Sequence, residues 1–185
     1  MEPTDQNMPT DFAPGNFLSS FFRIAKGVLL SPGRFYEGMN REGGLRNPFL
    51  FLTSCVLTHT LIVGLWLKNQ SLIASNLLFG LVLPFVTAGI LFFFITKLFK
   101  GSGTYEMAFR VNAYAAAVAL LSWVPMAGML LEFYRIYLIV VGLSSAFSIK
   151  ASRSFIAVVL TIFVYMAASA ALYHVTGGPW PKTTP

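Results

Sequence analysis

The feature that most constrains the fold of this chain is its long stretches without a charged residue. The 21 residues between Arg46 and Lys68 carry no charge, and neither do the 28 residues between Lys68 and Lys97. A helix needs about 20 apolar residues to cross a bilayer, so either stretch is long enough to span one. Because 56% of the residues are hydrophobic and only 11% are charged, a soluble fold is excluded. The sequence therefore predicts an all-α, polytopic membrane helical bundle.

Prolines and loops divide the apolar sequence into about five predicted transmembrane helices. Asn47 and Pro48 form a typical helix start, and Pro125 breaks the later apolar run because proline disfavours helix in the residue before it. Pro84 predicts a tilt or kink within the second span. The predicted spans are 48–67, 72–99, 105–123, 125–147 and 154–173. They form one membrane domain over 47–175, followed by a tail at 176–185.

The first 46 residues are predicted to precede the spans. Residues 1–15 carry acidic residues and three prolines without an apolar core, so we predict a disordered tail and no secretory signal. Residues 16–46 are predicted to form cytoplasmic or interfacial helices, of which 17–30 is amphipathic and too short to span. Its Arg23 and Lys26 are predicted to contact anionic lipid headgroups. A lid packed on the bundle is the alternative interpretation of the same pattern.

The basic residues predict the orientation. An N-terminus in the cytoplasm leaves only Lys68 and Lys182 outside, against ten basic residues inside: Arg23, Lys26, Arg34, Arg41, Arg46, Lys97, Lys100, Arg110, Lys150 and Arg153. This bias follows the positive-inside rule and places the C-terminus outside. Merging the third and fourth spans would put Lys150 and Arg153 outside, so the bias also supports the break at Pro125. The basic residues form no stripe, and no nucleic-acid partner is expected.

Glu132 and Arg135 are the principal candidate site. They lie three residues apart on the fourth span, seven and ten residues after Pro125, which predicts a position near the middle of the bilayer. An ionisable residue there costs about 3 kcal/mol, so the two are predicted to face the interior and neutralise each other. The interpretations are a gate, proton relay or headgroup site, or a purely structural pair. The predicted cluster also includes Asn112, Tyr114, Tyr134 and Tyr137.

Other residues predict local structure and no chemistry. Thr104 is a predicted helix cap, Glu106 is placed to pair with Arg110 four residues later, and Gly142 with Ala146 predicts a small-residue packing face. The histidines and the single cysteine have no ligand partners at metal-binding spacing, so no metal, cofactor or disulfide is expected. A serine-nucleophile turn at Gly142 to Ser144 is disfavoured because it falls within a predicted helix. No enzymatic activity is predicted.

The order of elements and several local patterns extend from Ser31 over most of the chain. They comprise Ser31, Pro32, Phe35 and Pro48 before the first span, and then Gly103, Thr104, Tyr105, Phe109, Arg110, Tyr114, Ala115, Pro125, Gly128, Tyr134, Tyr137, Gly142, Leu143, Lys150 and Ala151. In these patterns the chain resembles the Yip family, which is named for interaction with Ypt and Rab GTPases. The resemblance implies a cytoplasmic N-terminus and five spans.

The resemblance implies a compact prokaryotic member of the family and a bacterial or archaeal inner membrane. The trafficking members carry an Asp-Leu-Tyr-Gly-Pro segment before the first span that this chain lacks, which argues against GTPase binding. The expected function is a non-enzymatic membrane adaptor or organiser, with membrane lipids and either a membrane-protein partner or a second copy as partners. The alternative is a small transporter, channel or lipid-handling protein that uses Glu132 and Arg135.

Overall fold

The computed structural model describes residues 11–67, 70–121 and 128–176, and this part of the chain is mostly helical, without strands. Its α-helices are α1 (Phe17–Leu30), α2 (Pro32–Gly38), α3 (Arg46–Leu67), α4 (Gln70–Phe93), α5 (Tyr105–Ala115), α6 (Gly128–Ala146) and α7 (Ala151–Thr176). A π-helical segment, Phe94–Leu98, extends α4, and short 3-10 segments occur at Pro14–Asn16 and Ala116–Leu120. The predicted all-α bundle is confirmed.

Four helical segments of the described chain are long and apolar enough to cross a membrane: Arg46–Gly64, Ile73–Leu98, Gly128–Ala146 and Ala151–Val175. They correspond to the first, second, fourth and fifth predicted spans. Pro84 lies inside α4, and the helix continues on both sides of it. The predicted break at Trp123 to Pro125 falls outside the described residues, as does nearly all of the predicted tail at 176–185.

The predicted third span is the buried centre of the bundle. It consists of α5 followed by the 3-10 segment, and together they rise about 26 Å. Every residue from Ala108 to Ala115 is buried, and α5 packs against α3, α4 and α6. Three polar residues, Glu106, Arg110 and Asn112, lower the hydropathy of α5. Its neighbours in the bundle, rather than lipid, therefore surround this helix.

Small residues let the central helices approach closely. A Cβ atom at Gly142 would lie 2.6 Å from Cγ1 of Val111 and 3.0 Å from Cε1 of Tyr36. Gly142 and Ala146 are both buried on α6, which confirms the predicted packing face. The Tyr36 hydroxyl donates to the Val111 carbonyl at 3.3 Å, and burial raises the pKa of this phenol, so that it stays neutral. Helices α2, α5 and α6 are joined at this point.

Helix α1 has the predicted bounds and packs along the side of the bundle. Its buried residues are Ser20, Phe21, Ile24, Ala25, Gly27 and Val28, and it contacts α2, α5 and the segment Ala116–Leu120. The ring of Phe21 lies 5.3 Å from that of Phe51 on α3. At the other end of α1, the Tyr134 hydroxyl donates to the Leu29 carbonyl at 2.6 Å. Both contacts are with residues inside helices that can span the membrane.

The disorder predicted for residues 1–15 does not extend over 11–15. Phe12 is only 1% exposed, and its ring lies 5.4 Å from that of Phe17 and 6.0 Å from that of Phe51. Asp11 forms an ion pair with Arg110. Ion pairing and aromatic packing thus fix a segment whose composition resembles that of a tail. Residues 1–10 lie outside the described part of the chain.

Candidate functional site

Glu132 and Arg135 lie on the same face of α6, as their spacing requires. The distance from Arg135 Nη1 to Glu132 Oε2 is 3.9 Å, and the two side chains are 36% and 69% exposed, respectively. They follow Gly128 by four and seven residues, which places them about 6 and 10 Å from this end of the helix. The pair is thus open to its surroundings, whereas the sequence predicted that it would face the interior of the bundle.

Two cavities flank this pair. The first, of about 250 Å³, lies between α4 and α6 on the side of α3, and its other polar lining residues are His59 and Asn76. The second, of about 380 Å³, lies on the side of α7, and its other polar lining residues are Thr87, Asn112, Thr161 and Tyr165. Leu83, Glu132 and Arg135 line both cavities. The ion pair therefore stands where the two cavities meet.

Two polar atoms at these cavities have no hydrogen-bond partner among the described residues. Asn112 is fully buried, and its Nδ2 donates to the Pro84 carbonyl at 2.9 Å, which leaves Oδ1 as an unused acceptor. Nε of Arg135 is a buried donor that is likewise unused. Thr87 and Tyr165, by contrast, bond to each other at 2.7 Å across the second cavity. The site thus contains one acceptor and one donor that are buried and unused among the described residues.

The three tyrosines of the predicted cluster lie elsewhere. Tyr134 bonds to Leu29, and its ring stacks on that of Tyr137 at 5.8 Å, away from both cavities. Tyr114 instead donates to Asp11. The structure therefore brings Asn112 together with Glu132 and Arg135 and separates the tyrosines from them. Asn76, Thr87 and Tyr165 were not predicted, although a polar residue inside an apolar span is a signal for such a lining.

A second polar cluster surrounds Arg110, whose side chain is fully buried. Nε donates to Glu106 Oε1 at 3.0 Å, which confirms the predicted i,i+4 pair. Nη2 donates to the Gly44 carbonyl at 2.9 Å, and Nη1 lies 3.1 Å from Asp11 Oδ2. Asp11 also accepts from the backbone N–H of Phe12 at 2.9 Å. The planar guanidinium thus makes contacts in three directions, and these join the N-terminal segment to α5.

The turn before α3 is shaped around this arginine. Gly43 has a φ of +130°, and a Cβ at that position would lie 2.9 Å from Arg110 Nη2. The N–H of Gly44 donates to Glu106 Oε1 at 2.7 Å. The contacts of the cluster join the N-terminal segment, the turn before α3 and α5. Its arrangement therefore positions chain segments.

The predicted headgroup residues lie on the outer face of α1. Arg23 and Lys26 are both exposed, and Arg23 Nη2 donates to Ser19, one turn earlier on the helix, at 3.0 Å. Beside them, Leu18 and Phe22 are 69% and 67% exposed. The helix thus has one face on the bundle, an apolar edge and a basic edge.

The described residues include no group of three or more histidine, cysteine or acidic side chains that could hold a metal. Cys55 is a free, buried thiol inside α3. In the described part of the chain, the polar clusters offer hydrogen bonds and charges.

Comparison with protein families gives a match to this architecture. The family described as the Yip1 domain matches residues 26–173, a range that contains α2 to α6, most of α7, the cavities and the arginine cluster except Asp11. Neither the curated proteins nor the solved structures gave a match. Since the match covers well over half of the chain, the resemblance seen in the sequence is confirmed, and the chain belongs to the Yip1 domain family.

Proposed function

We propose that this protein is a non-enzymatic membrane organiser that gathers anionic lipids around α1. The observation that carries the proposal is the hydrogen bond from Tyr134 to the Leu29 carbonyl. It holds the end of α1 beside a spanning helix, about 18 Å along α6 from Ala146. The basic edge of α1 therefore lies along the side of the bundle, next to lipid.

Cations at this position act on the lipid around them. Arg23, Lys26 and Arg34 are exposed, and hydrocarbon cannot solvate a charged side chain. Snorkelling and local thinning of the bilayer relieve such a cost by bringing headgroups to the charges. Anionic headgroups gain an additional electrostatic attraction of about 1 kcal/mol per basic residue. The leaflet beside α1 would therefore be thinner and richer in anionic lipid than the bulk bilayer.

The orientation of the chain in the membrane is part of the same proposal. Ten basic residues lie inside and two outside if the N-terminus is cytoplasmic. The rise of about 26 Å over α5 and the 3-10 segment supports a fifth crossing, since it approaches the thickness of the hydrocarbon core. An odd number of crossings leaves the C-terminus outside. A bacterial or archaeal inner membrane is the proposed location.

The test compares charge reversal with charge conservation at the same positions. The double variant R23E/K26E and its control R23K/K26R are reconstituted in nanodiscs that hold equal amounts of phosphatidylglycerol and phosphatidylcholine. Native mass spectrometry then counts the lipids that remain bound. We expect the control to retain phosphatidylglycerol and the reversed variant to lose about two bound molecules, one per charge. Equal retention by the two variants would remove the basis of the proposal.

The cavities favour a second candidate function, a small transporter, channel or lipid-handling protein. Glu132 and Arg135 stand at the junction of two cavities next to the lipid-facing surface. Reconstituted wild-type protein should then move a fluorescent phospholipid between leaflets, and E132Q and R135Q should slow it about tenfold. Y137F, on the same helix outside both cavities, is the control. Unchanged movement in E132Q and R135Q would count against this candidate.

A further inference from the structure

We infer that the cavities at Glu132 and Arg135 bind a primary amine carried on a phosphodiester, which is the chemistry of an ethanolamine headgroup. This inference rests on the second candidate function and is independent of α1. Glu132 and Arg135 supply opposite charges on one helix face, with 3.9 Å between their closest charged atoms. A ligand that carries both charges can satisfy each of them. A zwitterion fits this pair better than an ion of either sign.

The phosphodiester is assigned to Arg135. Its buried Nε has no partner among the described residues, and its Nη1 makes only the long contact with Glu132. A guanidinium binds phosphate oxygens through parallel N–H donors, and a charge-assisted hydrogen bond is stronger than a neutral one. An anionic headgroup without an amine would satisfy Arg135 but would also meet the carboxylate of Glu132. Such a ligand is therefore disfavoured.

The amine is assigned to Glu132 and Asn112. A primary ammonium has three N–H donors, whereas a quaternary ammonium has none. Glu132 is 69% exposed at the cavity and can accept from such a donor. Asn112 also lines the second cavity, and its buried Oδ1 is an unused acceptor, since its Nδ2 is engaged by Pro84. These acceptors select ethanolamine over choline.

The surroundings favour a lipid as the source of this headgroup. The second cavity, of about 380 Å³, is in the size range of ligand pockets, and most of its lining is apolar, including Leu83, Leu91, Ile136, Ile139 and Ile162. Its lining residues other than Asn112 lie on α4, α6 and α7, which can all span a membrane. The pair lies about 6 to 10 Å along α6 from Gly128.

Native mass spectrometry of the full chain tests this inference. The protein is equilibrated with equal amounts of phosphatidylethanolamine, phosphatidylcholine and phosphatidylglycerol, and the bound lipids are counted. We expect phosphatidylethanolamine to exceed phosphatidylcholine about tenfold at this site in the wild type and in Y137F. In E132Q the preference should fall below about twofold, and in R135Q both lipids should be lost. Equal binding of the two lipids in the wild type would overturn the inference.

Two further experiments distinguish a lipid from a soluble ligand and distinguish this site from α1. Soluble glycerophosphoethanolamine should not displace the lipid at equal concentration, and displacement would assign the same chemistry to a soluble ligand. R23E/K26E should retain the ethanolamine preference, because α1 does not line the cavities. Loss of the preference in R23E/K26E, with the protein still folded, would contradict the assignment to this site. Binding without lipid movement would reject the second candidate function and leave the binding site in place.

Discussion

At the scale of single residues, contacts within one helix could be predicted, whereas contacts between residues distant in sequence could not. Glu106 and Arg110 are four residues apart on one helix, so their ion pair follows from helix geometry. Asp11 could not be assigned to Arg110 in the same way, because the intervening chain must fold before they meet. Asn112 was predicted as part of the polar cluster, but its hydrogen bond to the Pro84 carbonyl depends on the packing of α5 against α4.

The ion pair between Asp11 and Arg110 gives a prediction for stability. In D11N the fully buried guanidinium loses one of its two carboxylates, although Glu106 remains. We expect the free energy of unfolding to fall by about 1–3 kcal/mol. Backbone amides near Phe12 should also exchange hydrogen faster, because the segment is no longer fixed. Thermal unfolding in detergent and hydrogen exchange measure the two effects.

The matched control for D11N is E42Q, which removes an exposed carboxylate on the connection between α2 and α3. Its effect should remain within about 0.5 kcal/mol, as for most surface substitutions. If D11N and E42Q had equal effects on stability and exchange, the proposed role of Asp11 in fixing the N-terminal segment would be wrong.

At the scale of elements, apolar periodicity predicted α1 correctly, while α5 is more complex than its sequence suggests. The pattern from Phe17 to Leu30 has a clear apolar face, and the helix has these bounds. The path of α1 along the side of the bundle depends on Phe51 and Tyr134, which periodicity cannot reveal. The change from α to 3-10 helix after Ala115 occurs in an alanine-rich stretch that carries no break signal.

The close approach at Gly142 predicts a steric effect. A leucine there would collide with Val111 and Tyr36 and force α5, α6 and α2 apart. We expect G142L to lower the free energy of unfolding by about 1–3 kcal/mol. G128L is the control on the same helix, because no atom lies within 4 Å of a Cβ at Gly128. Equal thermal stability of the two variants would be inconsistent with this packing.

The depth of α1 can be measured with a spin label. Cys55 is buried, so a cysteine introduced at the exposed Ser19 can be labelled selectively. If headgroups reach α1, a label at S19C should be more accessible to a water-soluble nickel complex than to oxygen. A label at F163C, on the exposed face of α7, should show the opposite preference. Oxygen preference at both positions would place α1 in hydrocarbon and contradict headgroup access.

At the scale of the whole molecule, the charge-free stretches and the family resemblance predicted the fold class. The hydropathy of α3, α4, α6 and α7 identifies them as spans without any knowledge of their packing. The cavities between α4 and α6 could not be predicted in this way, because they arise where α4 and α6 both pack against α5 and α7 rather than closely against each other. The sequence identifies Glu132 and Arg135, and only the packing surrounds them with cavities.

The number of crossings predicts which end of α7 lies on each side of the membrane. A cysteine at the exposed Val175 should react with a membrane-impermeant maleimide in intact cells. A cysteine at the exposed Ser152, at the other end of α7, should react only after the membrane is permeabilised. The reverse pattern would contradict the orientation derived from the basic residues.

The central claim is that α1 gathers anionic lipid, and its most direct test is in the native membrane. Tagged wild-type chain, R23E/K26E and R23K/K26R are crosslinked there, and mass spectrometry identifies the lipids and proteins recovered with each. We expect anionic phospholipid to be enriched with the wild type and R23K/K26R and to fall to the bulk level with R23E/K26E. An unchanged lipid complement in R23E/K26E, or a stoichiometric protein partner recovered in place of lipid, would contradict the account.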